Sequence, residues 1–286
     1  MATHCTLHTP TAAVRSTVRA VYYPTEDLPR LARVETFNKP VFAPSGWEDA
    51  TPRPPKEGAK GASMAVENAE KGDAREPADA EANARRAIRR AKQNAFDLIM
   101  CNPDMNLFAT LTYAPDQVED KADYKECYRY FNSFVSNRVQ RRGLKYVCAP
   151  ERTKAGDIHF HMICTAAAFD MAVARNPYNS HIITRHGKPL YNLLDWKRGF
   201  SSAEYITDRE GDGTAVERVA KYIFKYIGKD IGSKVGGRYL LTGGAFTHPI
   251  VTYPDDLSQF STDLPTYVKR FDSDELDLHY TCQYFI

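Results

Sequence analysis

Apolar and polar residues alternate along this chain with two different periods, and each change of period marks an element. Across residues 80–100 (AEANARRAIRRAKQNAFDLIM), Ala87, Ile88, Ala91, Ala95, Leu98 and Ile99 recur at three- and four-residue spacings. That is the stripe of an amphipathic helix. Leu107 to Tyr113 (LFATLTY) has strand composition, with Phe108, Thr110 and Thr112 on one face and Leu107, Ala109, Leu111 and Tyr113 on the other. Ala122 to Arg142 returns to the helical period, turns Tyr128, Phe131, Phe134, Val135 and Val139 inward, and meets a capping glycine at Gly143. Leu144–Ala149 and Ile158–Thr165 flank a polar turn containing Gly156 and Asp157, a spacing that predicts a hairpin. Residues 176–213 read as loop-rich with one or two short strands. A helix is expected over 215–231, a strand over 238–242 and a β-like tail over 280–286.

The flanking segments carry less pattern. The first 42 residues mix Pro, Thr and short apolar groups and predict no clear element. Residues 43–79 turn to Pro, Gly, Ala, Lys and Glu, with almost no large apolar residue. Such a segment cannot bury enough surface to offset its ordering entropy, so a disordered linker is expected there. The expected organisation is an N-terminal segment (1–42), a linker (43–79), a compact α+β domain led by a basic helix (80–246) and an acidic C-terminal extension (247–286).

Charge changes this picture through its distribution. The net charge over 286 residues is only +2, but from Arg85 to Lys154 there are 14 Lys/Arg against eight Asp/Glu. From Ile250 onward there are two against seven. A basic middle beside an acidic end suits a polyanion-binding core, and it also describes ordinary surface charge. Arg85, Arg86, Arg89, Arg90 and Lys92 crowd the outer surface of the first helix, where they would contact phosphates beside a nucleic-acid site or simply be solvated. Six cysteines lie scattered with no C-x-x-C pair, as in free thiols of a reducing cytoplasm. Met1 to Pro10 lacks the basic start and apolar core of an export signal, and no run approaches the ~18 apolar residues of a membrane span. A soluble cytoplasmic protein with no membrane partner is expected.

Two short segments carry candidate chemistry. In Ile158-His159-Phe160-His161-Met162 the histidines are two apart on a strand, so both imidazoles leave one face while Phe160 and Met162 pack on the other. Two neutral imidazoles side by side offer a bidentate metal site. If the hairpin forms, Glu151 comes near them, and its carboxylate would favour a hard ion, Mn²⁺ or Mg²⁺. Alone, the pair also fits two strand histidines hydrogen-bonded to neighbours. The second segment is Ala220-Lys221-Tyr222-Ile223-Phe224-Lys225-Tyr226-Ile227-Gly228-Lys229. Tyr222 and Tyr226 are four apart, so on a helix they project from one side, and Lys225 and Lys229 each follow a tyrosine by three. A nearby cation lowers the cost of forming phenolate, and a lysine can neutralise a phosphoryl transition state. Alone, this too fits an amphipathic helix with border tyrosines and solvated lysines.

Taken in order, the strand Phe108-Ala109-Thr110-Leu111-Thr112-Tyr113, then Glu151 with His159-x-His161, then the Tyr/Lys helix resemble the HUH endonucleases. These are rolling-circle replication initiators of small single-stranded DNA phages, plasmids and related viruses. The similarity is greatest to the replication-associated proteins of filamentous-type phages and prophages, and it spans roughly residues 85–246. It implies a central antiparallel sheet of about five strands with packed helices, ferredoxin-like in style. It implies that His159, His161 and Glu151 hold the metal, that Tyr222 and Tyr226 are the catalytic tyrosines, and that Lys225 is the motif lysine. The implied reaction is attack of a tyrosine on single-stranded DNA at an origin hairpin, leaving a 5′-phosphotyrosyl link and a 3′-OH for the host polymerase. Tyr113, Arg152, Lys154 and Lys229 are candidates for holding the DNA. No G-x-x-x-x-G-K-[ST] loop occurs, so unwinding would fall to a host helicase.

Three rivals remain at this level. A relaxase or single-tyrosine transposase would share the chemistry, although relaxases carry a third histidine where this chain offers Glu151. A non-catalytic nucleic-acid-binding module would use the same residues structurally. A zinc hydrolase would need a third His or Cys, and Cys164 falls on the opposite strand face from the histidines.

Overall fold

A computed structural model describes residues 15–25, 29–42, 77–206, 235–254, 257, 260, 265, 267–273 and 278–285. In chain order, β1 (Arg15–Tyr23) and β2 (Arg30–Phe42) precede the long helix α1 (Pro77–Met100). β3 (Leu107–Leu111), α2 (Tyr124–Arg142), β4 (Tyr146–Arg152) and β5 (Ile158–Cys164) follow. Five short strands come next: β6 (Met171–Val173), β7 (Thr184–Arg185), β8 (Lys188–Pro189), β9 (Tyr191–Leu193) and β10 (Ser201–Tyr205). β11 (Leu241–Gly243), β12 (Ile250–Thr252), β13 (Tyr267–Ser273) and β14 (Leu278–Tyr284) complete the described elements. The fold class is α+β. The expected linker lies mostly outside the described residues, as does the helix expected over 215–231.

The chain divides into two compact units, residues 75–248 and a second unit drawing on residues 1–74 and 249–286. In the second unit five antiparallel strands lie in the order β12-β1-β2-β14-β13, so strands from both ends of the chain share one sheet. Its sequence pattern is obscured by irregularities in the β1–β2 pairing, between Ser16 and Val18 and between Val21 and Tyr22. The buried set on β1 is consequently Val18, Ala20, Val21 and Tyr23, which breaks a strict alternation. On β2, Arg33 and Glu35 are buried as an ion pair at 3.0 Å, with Arg19 from β1 also on the Glu35 carboxylate.

The larger unit is built on a seven-stranded sheet, β11-β4-β5-β3-β10-β9-β6, two strands wider than the sequence suggests. The additional strands come from 171–205, where the elements are only two to five residues long and leave little periodicity to read. One face of the sheet is apolar. Leu107, Ala109, Leu111, Ile158, Phe160, Met162, Cys164, Cys148 and Tyr146 pack there against Cys127, Phe131 and Val135 of α2. Phe131 stacks on Phe160 with ring centroids 4.2 Å apart. α2 begins where Asp123 accepts a hydrogen bond from the Lys125 amide, and it ends at Gly143, whose φ of 65° is the left-handed value of a C-cap. The outer face of α1 leaves Arg85, Arg86, Arg89 and Arg90 exposed, while Ile88, Ala95, Phe96 and Ile99 are buried.

Candidate functional site

The hairpin of β4 and β5 sets the register of the site. Glu151 stands opposite His159 and Ala149 opposite His161, so the carboxylate and both imidazoles leave the same face, away from α2. Pro150 is tolerated within this strand because β11 pairs with β4 only over Tyr146–Cys148. On the other side of β5, Thr110 of β3 stands opposite His161. The face therefore carries Glu151, His159, His161 and Thr110 on three adjacent strands.

His161 is held at both ring nitrogens. Its Nε2 lies 2.8 Å from Glu151 Oε2, its Nδ1 3.1 Å from Thr110 Oγ1, and Phe108 stacks beside the ring at 6.3 Å between centroids. A neutral imidazole donates from one nitrogen and accepts at the other. With the Nε2 hydrogen given to the carboxylate, Nδ1 accepts the Thr110 hydroxyl. If Nε2 instead offers its lone pair to a cation, the hydrogen moves to Nδ1 and Thr110 Oγ1 becomes the acceptor. A hydroxyl serves both tautomers without moving. His159 is half-buried, its ring centroid 6.2 Å from that of His161. Burial pulls its imidazole below the usual histidine value against the raising pull of Glu151 and Asp157, which favours the neutral, lone-pair form.

The donor chemistry suits a hard divalent cation: one carboxylate and two imidazoles on one strand-paired face. Their present arrangement is a hydrogen-bonded one. Among the described residues, no group of three His, Cys, Asp or Glu side chains is set to hold a metal ion. Glu151 closes directly on His161 instead.

The remaining expected site residues fall in different places. Tyr113 is a correction: it is a core residue, 5% exposed, and not a surface for bases. Strand alternation turns it to the α2 face, where its hydroxyl donates to the Cys127 carbonyl and its ring meets Trp196 and Phe160 edge to face. Burial drives its phenol well above the usual tyrosine value. Arg152 spends its guanidinium inside the protein, donating from one nitrogen to the carbonyls of Ala122 and Gly156 at 3.0 and 2.7 Å. Lys154 is exposed on the β4–β5 turn. Tyr222, Lys225, Tyr226 and Lys229 lie outside the described residues. Cys164 is buried on the α2 face and donates toward the Leu107 carbonyl, away from the histidines.

Sequence reading missed Thr110 as a partner of His161. The signal was present, since Thr110 is a hydroxyl residue in an apolar strand at the parity that faces away from α2. What was lacking was the β3–β5 register, which brings together residues 51 positions apart.

Residues 106–231 match the model of a family described as replication-associated protein, of the ORF2 type. The match includes β3, α2, β4, β5 and β10, and with them every residue of the site above, and it supports a role in replication initiation. No curated protein and no solved structure matches the chain. No helix among the described residues is long and apolar enough to cross a membrane.

Proposed function

We propose that this protein is an origin-nicking endonuclease and strand transferase that starts rolling-circle DNA replication in a bacterial cytoplasm. The observation that carries the reading is the Glu151–His161 contact at 2.8 Å, with His159 on the same face, inside the segment that matches a replication-associated family. Glu151, His159 and His161 would hold Mn²⁺ or Mg²⁺. Such an ion supplies Lewis acidity that polarises the scissile phosphate. Thr110 fixes the His161 tautomer from behind.

The nucleophile in this reading is Tyr222, assigned from its spacing to Lys225 and from the resemblance to HUH enzymes. Its phenol oxygen forms a bond to phosphorus as the P–O3′ bond breaks, and the phenol proton ends on the 3′ oxygen. One phosphodiester replaces another, so later strand closure needs no ATP. Lys225 would neutralise charge developing on the phosphoryl group. Tyr226 would serve a second cut while Tyr222 still holds the 5′ end. The 3′-OH passes to a host polymerase, and a host helicase opens the duplex around the origin hairpin.

The test is incubation with Mn²⁺ and a pool of single-stranded oligonucleotides, followed by denaturing gel electrophoresis. A protein–DNA adduct that survives denaturation and disappears in His159→Ala supports the enzyme. Retention of DNA without any adduct would point to a non-catalytic binding module. An adduct formed by Tyr222→Phe at wild-type yield would move the primary role to Tyr226.

A further inference from the structure

The face that carries the histidines continues beyond them. His161 stands opposite Thr110, and Thr110 opposite Ser202 of β10. Two residues before Ser202, and by alternation on the same face, comes Phe200. Its ring is 76% exposed. Single exposed apolar residues are common and usually mean nothing. This one differs in how firmly its backbone is held. The Phe200 carbonyl accepts hydrogen bonds from the Thr112 amide at 2.9 Å and the Thr112 hydroxyl at 3.0 Å. Gly199 before it has a φ of 152° and lies so close to the chain after β3 that a Cβ would stand 2.4 Å from the Thr112 carbonyl oxygen and 2.6 Å from the Ala114 nitrogen. Only glycine fits there, and that fit anchors the ring at the sheet edge.

Strands β5, β3 and β10 are consecutive neighbours, so Phe200 sits roughly 10 Å across the sheet from the histidine strand. Between them lie the hydroxyl residues Thr110, Thr112 and Ser202, neither bulky nor charged. We propose that Phe200 is a stacking platform for an unpaired nucleobase next to the phosphate handled at the histidine site. A paired base has both faces covered by its neighbours, so a lone anchored ring selects single-stranded DNA or an unstacked end. Every base has a π-face, and the contact is therefore tolerant of sequence. The inference rests on the nuclease reading for what lies at the histidines, but the stacking contact is measurable without cleavage.

The experiment uses the full chain in EDTA, with fluorescence anisotropy of a labelled mixed-sequence single-stranded oligonucleotide and of its duplex. Phe200→Ala is expected to weaken single-strand binding about 5- to 150-fold. Phe200→Trp should keep it within about twofold of wild type, and duplex binding should be unchanged in both variants. An abasic site moved along the oligonucleotide should reproduce the loss at one position in wild type and add nothing in Phe200→Ala. Unchanged single-strand affinity in a Phe200→Ala protein with wild-type circular dichroism overturns the proposal, as does a wild type that binds no single strand. The Mn²⁺ adduct assay separates the two readings. Adduct formation with unaltered Phe200→Ala binding removes the platform and keeps the nuclease. Weakened Phe200→Ala binding with no wild-type adduct does the reverse.

Discussion

Along β5, neighbouring residues live in two chemical environments. Ile158, Phe160, Met162 and Cys164 are fully buried beneath α2, where the apolar face makes the core. His159 and His161, on the other face, meet a carboxylate, a hydroxyl and each other. The two faces share a backbone and differ in what a substitution there removes. Beneath α2, a side chain contributes area kept from water and contacts at crystal-like density. On the histidine face, hydrogen-bond geometry matters more than volume. Stability and chemistry are thus separable on strands that carry both.

That separation can be broken most severely from the apolar side. Phe160→Ala removes the ring stacked on Phe131 and should cost about 3–5 kcal/mol in denaturant unfolding followed by circular dichroism. On the opposite face His159→Ala should leave unfolding within about 1 kcal/mol of wild type. Its DNA adduct, in the nuclease reading, should fall at least ~100-fold, the scale of losing one electrostatic stabiliser of a phosphoryl transition state. Equal losses of stability from the two substitutions would erase the contrast between the faces.

A smaller effect sharpens the role of Thr110. Thr110→Val keeps the shape and deletes the hydroxyl that faces His161 Nδ1. Mn²⁺ affinity, read by calorimetry, should fall about 10- to 100-fold, and Thr110→Ser should recover most of it. Affinity unchanged in the valine variant would mean that His161 is oriented without Thr110.

The smallest effect lies on the α2 side, away from the histidines. Burial raises the Asp195 carboxyl, but the hydrogen bond and charge of Arg138, 2.8 Å away, outweigh it and leave it below the usual carboxylate value. A depressed folded value means that the pair's contribution is full above the unfolded carboxylate range, near pH ~4, and fades as pH falls through the folded value. At pH 7 Asp195→Asn should cost about 1 kcal/mol or less, and the gap to wild type should close on acidification. A gap that widens on acidification would reverse that assignment.

Local pattern carried much of the larger unit. The α2 stripe and its Gly143 cap, the β4–β5 hairpin and the shared face of His159 and His161 all follow from spacing within 40 residues. Long-range pairing was not legible. β2 finds β14 some 245 residues later, and the irregular β1–β2 register scrambles the alternation that would have revealed either strand. Tyr113 shows a different limit. Its alternation was read correctly, yet a tyrosine near the site suggested base stacking until the sheet showed which face α2 covers. Phe200 shows the converse, an aromatic in a loop-rich stretch whose place depends on the chain beyond β3 accepting Gly199.

The most direct measurement is mass spectrometry of the protein after reaction with a single-stranded origin oligonucleotide and Mn²⁺. A tryptic peptide carrying a nucleotide through its 5′ phosphate on Tyr222, with Tyr226 labelled in the Tyr222→Phe protein, is the expected result. Cleaved DNA with free ends and no modified tyrosine, or intact DNA under saturating protein, would contradict it.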